Sequence, residues 1–434
     1  MSWYHHVIVD PNMTVNGDRF ALVVRSQIDA VTAITAIHRQ DFSRRIGGAR
    51  FVENGSLAEV AHLASAMTDK CLAAKLPMDG EKTIIICPDG IPQSIEARAT
   101  ILRQHILDLV QADPGAIIGP DMANPQEVLD IISTDPVLRD HVTGLSETHG
   151  GLGIDKHGYT AVGLACAIDV ARERCAGLNS AVIQGFGAVG AHTARHLAQM
   201  GIAVKAISNQ KGTLIGEDGR LDVESLFMAW QTGGDQAVIK AADAAGGRIR
   251  LSGDPDELLS VNADIFIPAA RTCTLAMPNE LLLVREENPA VQDVTAFYRR
   301  SGVRLISQGA NHPLTEEAER YLETTPTQVM VQPDYIINCG GLIGCYFEWA
   351  FRDRLLSDPS SCDIVAEAAK GFIRDSIRSN VVELFRLGGG AREAARQIVV
   401  RNRKYLSQLS SRQSESKDVH ALAQAALNLE RLAS

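Results

Sequence analysis

The stretch AVIQGFGAVGAHTARHLAQMGIAVKAI, residues 181–207, decides the architecture. Ala181-Val182-Ile183-Gln184 reads as a buried strand, Ala188–Met200 as a helix, and Ala203–Ile207 as a second strand after Gly201. Between the first strand and the helix, Gly185, Gly187 and Gly190 take the GxGxxG spacing. The first glycine permits the tight turn, the second lets the backbone approach a pyrophosphate, and the third lets helix and strand pack closely. The helix start adds free N–H groups and a dipole favourable to phosphate. The segment Gly185, Phe186, Gly187, Ala188, Val189, Gly190 is therefore expected to bind a dinucleotide. The acid that holds a ribose hydroxyl at the end of the second strand is missing, since the chain continues Ser208-Asn209-Gln210-Lys211. Asn209 and Lys211 stand there instead, which leaves NAD and NADP both open.

With 434 residues the chain is too long for one ordinary core and suits two domains. A net charge of −10 without a basic stripe argues against a nucleic-acid partner. No apolar run approaches the roughly 20 residues that span a bilayer. The opening MSWYHHVIVD does not read as a signal peptide. None of the 8 cysteines forms a CxxC pair, and most lie in apolar runs such as Ile84-Ile85-Ile86-Cys87. Buried, reduced thiols in a cytoplasmic protein are expected. The histidines show no metal-ligand spacing, so no metal site is expected.

The first half alternates strands and helices. Phe20–Val24 and Ala33–Ile37 read as strands. Ser56-Leu57-Ala58-Glu59 is a capping box, followed by apolar residues at helical spacing that carry Lys70 beside the apolar stripe. Thr83–Cys87 reads as a buried strand, which puts Lys82 at its mouth, after the loop Leu76–Glu81. A lysine partly desolvated there has a lowered pKa and can serve as a base near neutrality. Asp121 follows a short strand, Ala116–Ile118, and precedes a helix opened by Asn124 as N-cap and Pro125. Gly150–Gly153 and Gly340-Gly341 are hinge candidates. Strands are also expected at Ile265–Ile267, Arg304–Ile306 and Tyr335–Ile337, then mostly helix with a polar break at Ser410–Lys417.

The order of motifs resembles the glutamate/leucine/phenylalanine/valine dehydrogenase superfamily over about Ala33 to Trp349. IGGARF at 46–51 is similar to its GG-x-R segment, and MTDKCLAAKLPMDGEKTIII at 67–86 to its M-x-x-K…K stretch. GPDM at 119–122 resembles the catalytic-aspartate loop and YTAVG at 159–163 the helix start that meets the nicotinamide. IPAA at 267–270, QGANHPLT at 308–315 and PDYIINCGGLIGCYFEW at 333–349 complete the order. The resemblance implies an α/β, two-domain amino acid dehydrogenase fold around a cleft. A substrate-binding and oligomerisation domain would span 1–150, a Rossmann NAD(P)-binding domain 151–345, and C-terminal helices packing back on the first domain 346–434. It implies reversible oxidative deamination of an L-amino acid to a 2-oxo acid and ammonium in a homo-oligomer, with NAD or NADP as cofactor. Lys82 would activate water and Asp121 would shuttle protons. Lys70 would grip the α-carboxylate, with Ile46, Gly47, Leu342 and Cys345 around the substrate. Thr160, Ala269, Ala270 and Asn311 would line the cofactor side.

Glutamate-specific members carry a further lysine near these segments and a serine where Cys345 stands. Here Ile46 precedes the glycine pair, as in the leucine and phenylalanine branch, and an unpaired side-chain carboxylate would be costly to bury. An apolar or aromatic substrate is therefore favoured, although YFEW at 346–349 leans to the glutamate branch. Asp79 replaces a glycine of the lysine loop, Glu81 is expected to raise the pKa of Lys82, and Gln308 stands where glutamate is common. A glutamate dehydrogenase, an enzyme on a bulky pathway intermediate, and a non-catalytic nucleotide-binding paralogue stay open as alternatives.

Overall fold

The structure is a computed structural model and describes residues 5–11, 14–15 and 18–412. The chain forms two compact units. One comprises Met1–Ile154, Leu342–Phe372 and Val399–Ser434; the other comprises Asp155–Gly341 and Ile373–Ile398. The crossings at 154/155 and 341/342 lie next to Gly150–Gly153 and Gly340-Gly341. No described helix is long and apolar enough to cross a membrane. No group of His, Cys, Asp or Glu among the described residues could hold a metal ion.

The first unit holds a six-stranded sheet in the order His5–Pro11, Leu22–Ile28, Val31–Ile37, Asp79–Ile86, Arg45–Val52, Ala116–Gly119. The first four neighbours pair antiparallel, and the last three strands run parallel. Successive side chains point to opposite faces of a strand. Ile34, Ala36 and Ile84 accordingly pack with Val60, Ala61 and Ala64 of helix Leu57–Ala73. Ala33, Ala49, Phe51 and Ile85 pack on the other face with Leu102, Ile106 and Leu109 of helix Ile95–Ala112.

Three expectations need correction here. The strand carrying Lys82 begins at Asp79, so Asp79-Gly80-Glu81 are strand residues rather than a loop. Asp79 is absent from the positive-φ residues, and its carboxylate accepts from the Phe42 N–H at 2.8 Å. Replacing glycine there therefore strains nothing. Pro125, not Asn124, is the N-cap of helix Gln126–Ser133, while Asn124 is buried and hydrogen-bonded through its backbone to Asp121.

The second unit has the sheet order Ile249–Ser252, Gly212–Gly216, Ala203–Asn209, Ser180–Gln184, Ile265–Pro268, Leu305–Ser307, Met330–Gln332. The last five strands are parallel. Strand Ser180–Gln184 sits where the order reverses, the crevice in which open α/β sheets bind dinucleotides. Tyr335–Ile337, expected as strand, is part of the short helix Asp334–Ile337, and the strand precedes it at Met330–Gln332. Pro333 lacks an N–H and starts the helix. Three apolar residues carry no periodicity to tell the two states apart. The expected break at Ser410–Lys417 is also moved: helix Ala391–Arg412 runs through Ser410, and residues 413–417 lie outside the described ones.

Helix Gly340–Ala350 is tied into the first unit by one carboxylate. Glu348, fully buried, accepts hydrogen bonds from the N–H groups of Gly144, Leu145 and Leu152, the Thr143 hydroxyl and Arg352. Arg352 is buried too and also donates to the Val142 carbonyl at 2.8 Å. Glu348→Ala would strand that guanidinium and three amides. The expected loss is about 3–5 kcal/mol of unfolding free energy, read as a lower denaturant midpoint of the first unit.

Candidate active site

Strand Arg45–Val52 lies beside strand Asp79–Ile86 with Ile46 opposite Gly80 and Arg50 opposite Ile84. Ile46, Gly48 and Arg50 share one face with Lys82, and the odd-numbered neighbours face away. Gly48 stands where any side chain would be obstructive. Its first carbon would lie 3.2 Å from Lys82 Nζ and 2.9 Å from Asp121 Cβ. Lys82 Nζ contacts Asp121 Oδ2 at 2.6 Å, and Arg50 Nε donates to the same oxygen at 2.7 Å. The loop that carries Asp121 is fastened to the sheet by the Phe51 N–H, which donates to the Met122 carbonyl at 3.1 Å.

Burial alone would raise the Asp121 carboxyl, but Lys82 and Arg50 outweigh it and hold it down at about 2. Lys82, 7% exposed, has its ammonium pushed below the ordinary value by burial, and Arg50 and Lys70 push it further, against the pull of Asp121. Lys70, in the last turn of helix Leu57–Ala73, is thus within electrostatic reach of Lys82. Cys345 stands nearby, for a carbon added at Gly144 would meet Pro120 at 2.4 Å and Cys345 Sγ at 3.8 Å. The Thr143 hydroxyl donates to the Cys345 carbonyl at 2.8 Å. Leu342 and Cys345 are half-buried, whereas Ile46 is only 1% exposed. Gly47 faces the opposite way, against the Glu81 carbonyl.

Glu81 does not crowd Lys82, which corrects the expectation drawn from their adjacency. Its side chain leaves the other face of the strand and accepts from the Ile117 N–H at 3.0 Å. Its second oxygen, Oε2, is buried without a hydrogen-bond partner. Burial raises the Glu81 carboxyl to about 8, against the pull of Arg45, which is itself paired with Asp113. Burial also raises Asp79 to about 6.

In the second unit the glycine turn meets the requirements of a dinucleotide. Gly185 has φ 94°, and a carbon added at Gly190 would lie 1.8 Å from the Gly185 carbonyl oxygen. Gly187 is exposed, with nothing within 4 Å of an added carbon, and caps helix Ala188–Gln199 without a side-chain bond. The first N–H groups of that helix therefore point outward unclaimed, as phosphate requires. Ala188 and Val189 are half-buried, but the Phe186 side chain belongs to the core, so only its backbone faces the turn. Ala269 and Ala270 close on Gly185, and the Asn338 amide donates to Asn311 Oδ1 at 3.1 Å. Thr160 lies in the first turn of helix Tyr159–Arg174, against Gly340. At the end of the second strand, Asn209 Oδ1 accepts from the Lys211 N–H at 2.8 Å, and its amide nitrogen is buried without a partner. A ribose hydroxyl would give that amide an acceptor. The Lys211 side chain is exposed.

One residue, Arg50, escaped the sequence reading. Arg50 sits inside the quoted IGGARF motif. Had that motif been read as a strand, alternation would have put it on the face of Gly48. Gln308 lies beneath the Asn311 loop, where its amide donates to Glu319 at 2.6 Å. Arg392 joins this network through Glu319 and Asp334.

The buried acids predict a pH effect on stability. A folded-state pKa raised above the unfolded value of about 4.3 means stability present at low pH and lost as pH rises through the folded pKa. The thermal midpoint of the first unit should therefore decline between about pH 4.3 and pH 8. Glu81→Gln should flatten that decline, leaving the part due to Asp79 and Glu348, whose carboxyls burial also raises. Calorimetry across this range, wild type against variant, checks it.

Known proteins are similar to this chain. Residues 150–375 match the family described as Glutamate/Leucine/Phenylalanine/Valine dehydrogenase, and residues 19–134 its dimerisation domain. The NADP-specific glutamate dehydrogenase of Saccharolobus shibatae is 30% identical over 315 residues, covering 70% of this chain and 67% of that protein. The glutamate dehydrogenase of Aeropyrum pernix is 30% identical over 316 residues, with 70% and 68% covered. Among solved structures, the hetero-hexameric glutamate dehydrogenase of Thermus thermophilus in its Leu-bound form superposes with a TM-score of 0.67 at 22% identity, covering 93% of this chain and 88% of that one. Plasmodium falciparum glutamate dehydrogenase gives 0.66 at 15% identity, covering 99% and 83%. The chain belongs to the glutamate/leucine/phenylalanine/valine dehydrogenase family.

Proposed function

We propose that the chain is an NAD- or NADP-dependent amino acid dehydrogenase that favours an apolar or aromatic L-amino acid. The observation that carries the reading is the pair of buried Lys82 and half-buried Asp121 at 2.6 Å, with Lys70 in the field of Lys82. When bound, the oxidised nicotinamide supplies the acceptor for the hydride leaving Cα. Lys70 holds the substrate α-carboxylate. Neutral Lys82 takes a proton from water as the water oxygen adds to the imine carbon. Asp121, ionised between Lys82 and Arg50, relays the proton that Lys82 took from water to the nitrogen of the carbinolamine. The C–N bond then breaks, the hydroxyl proton goes to the departing nitrogen, and the products are the 2-oxo acid and ammonium. The Asp121 Oδ2 is committed to Lys82 and Arg50, so Oδ1 is the oxygen that faces the amine.

The side-chain preference rests on Ile46 and on the cations around it. Lys82 and Arg50 are both engaged with Asp121, and Lys70 serves the α-carboxylate, which leaves a second carboxylate without an assigned partner. Glutamate is the second reading, favoured by the relatives named as glutamate dehydrogenases. The retained lysine–aspartate pair weighs against a non-catalytic paralogue. Homo-oligomerisation through the first unit is part of the proposal, in line with the matched dimerisation domain.

Reductive amination of a panel of 2-oxo acids with ammonium, followed by nicotinamide absorbance with NADH and with NADPH, tests the reading. Turnover of 4-methyl-2-oxopentanoate or an aromatic oxo acid, and not of 2-oxoglutarate, is expected. The reverse preference would establish the second reading. Lys82→Ala should lower kcat by about 10²–10⁴-fold and leave cofactor affinity within about threefold. Activity that survived the change would sink the assigned mechanism.

A further inference from the structure

The roles given above to Lys82 and Asp121 leave Arg50 unused. We infer that Arg50 is a positioning residue of this reaction: it fixes the Asp121 carboxylate against Lys82 and, through its permanent charge, sets the pH at which Lys82 becomes the neutral base. The inference rests on the dehydrogenase reading.

Arg50 is held from two sides. Its Nε donates to Asp121 Oδ2 at 2.7 Å, and a terminal nitrogen lies 3.7 Å from Glu59 Oε1 in the first turn of helix Leu57–Ala73. The guanidinium is planar and never deprotonates in proteins, so it offers Asp121 a direction as well as a charge. Lys82 and Arg50 converge on one oxygen, and no described residue donates to Oδ1. The carboxylate is thereby turned so that one oxygen is anchored and the other is presented.

The charge has a second effect. A like charge nearby disfavours the protonated ammonium. The charged groups acting on Lys82 are Lys70 from the helix, Arg50 from the adjacent strand and Asp121 from the loop, while Glu59 meets Arg50. Glu81 is on the far face. Lys70 also repels the ammonium, but a bound α-carboxylate neutralises it. Arg50 is the repelling charge that persists in the loaded site. Without it, Asp121 would act on Lys82 alone, and the ammonium would hold its proton to higher pH.

The test is the pH dependence of kcat for oxidative deamination by the full chain, using the amino acid found active. Arg50→Gln is expected to move the acid limb to higher pH by about one unit, a tenfold loss of kcat below the limb. The KM for the amino acid should change less than about threefold, because Lys70 is untouched. Arg50→Lys, which keeps the charge, should restore the wild-type limb. A limb unmoved in Arg50→Gln would overturn the inference. So would a limb displaced as far in Arg50→Lys, since charge would then not be the agent. If Arg50→Gln does not fold, Arg50→Met and the Arg50→Lys comparison decide. An active wild type, an inert Lys82→Ala and an unmoved Arg50→Gln would reject this role alone. A wild type inert on every substrate would reject the dehydrogenase reading with it.

Discussion

A buried lysine and a half-buried aspartate in contact at 2.6 Å constrain everything around them in the first unit. Breaking such a pair by removing one partner typically costs ~3–5 kcal/mol, so the surroundings must hold both charges together. Three neighbouring strands do so. Lys82 comes from one, Gly48 and Arg50 from its parallel neighbour, and Asp121 from the loop after the third. Gly48 is where the backbone gives way, because a side chain there would occupy the space the pair needs. The chemistry follows from the same burial: a desolvated ammonium gives up its proton more readily, and a carboxylate between two cations stays ionised.

The nucleotide turn works on different physics. It relies on backbone amides and on the absence of side chains, so it is local and is written in a run of six residues. The substrate side relies on side chains brought together from strands, a helix and a loop. Even its floor is indirect. Glu348 gathers the amides of Gly144, Leu145 and Leu152 and so keeps the chain beside Pro120 and Cys345 in place.

The departures from the family pattern acquire a physical meaning in this setting. Asp79 and Glu81 occupy the strand face away from Lys82, where they meet the Phe42 and Ile117 amides and the field of Arg45. They bear on how the sheet tolerates charge, not on the Lys82 amine. Gln308 likewise belongs to a buried network with Glu319 and Arg392 under the cofactor loop. Ile46 shares the strand face of Lys82 and is almost fully buried, and the proposed substrate preference rests on it.

Much of this was legible in order and spacing. The strand–glycine–helix unit at 180–199, the helix from Tyr159 to Arg174 and the capping box at Ser56 rest on local rules, and local rules survive folding. The family resemblance followed from motif order. Local reading failed where no period exists, as at Tyr335–Ile337, where a proline sets a short helix, and at Asp79–Glu81, which lie inside a strand. Which face a residue occupies was not legible either. Adjacency in sequence put Glu81 beside Lys82, but the pleat separates them, and Arg50, thirty-two positions away, shares the oxygen that Lys82 holds. The sequence by itself determined the two-domain dehydrogenase class and pointed to the residues proposed for its chemistry. Only the tertiary structure decided which charges meet, because electrostatics acts through distance and burial, and strand register sets both.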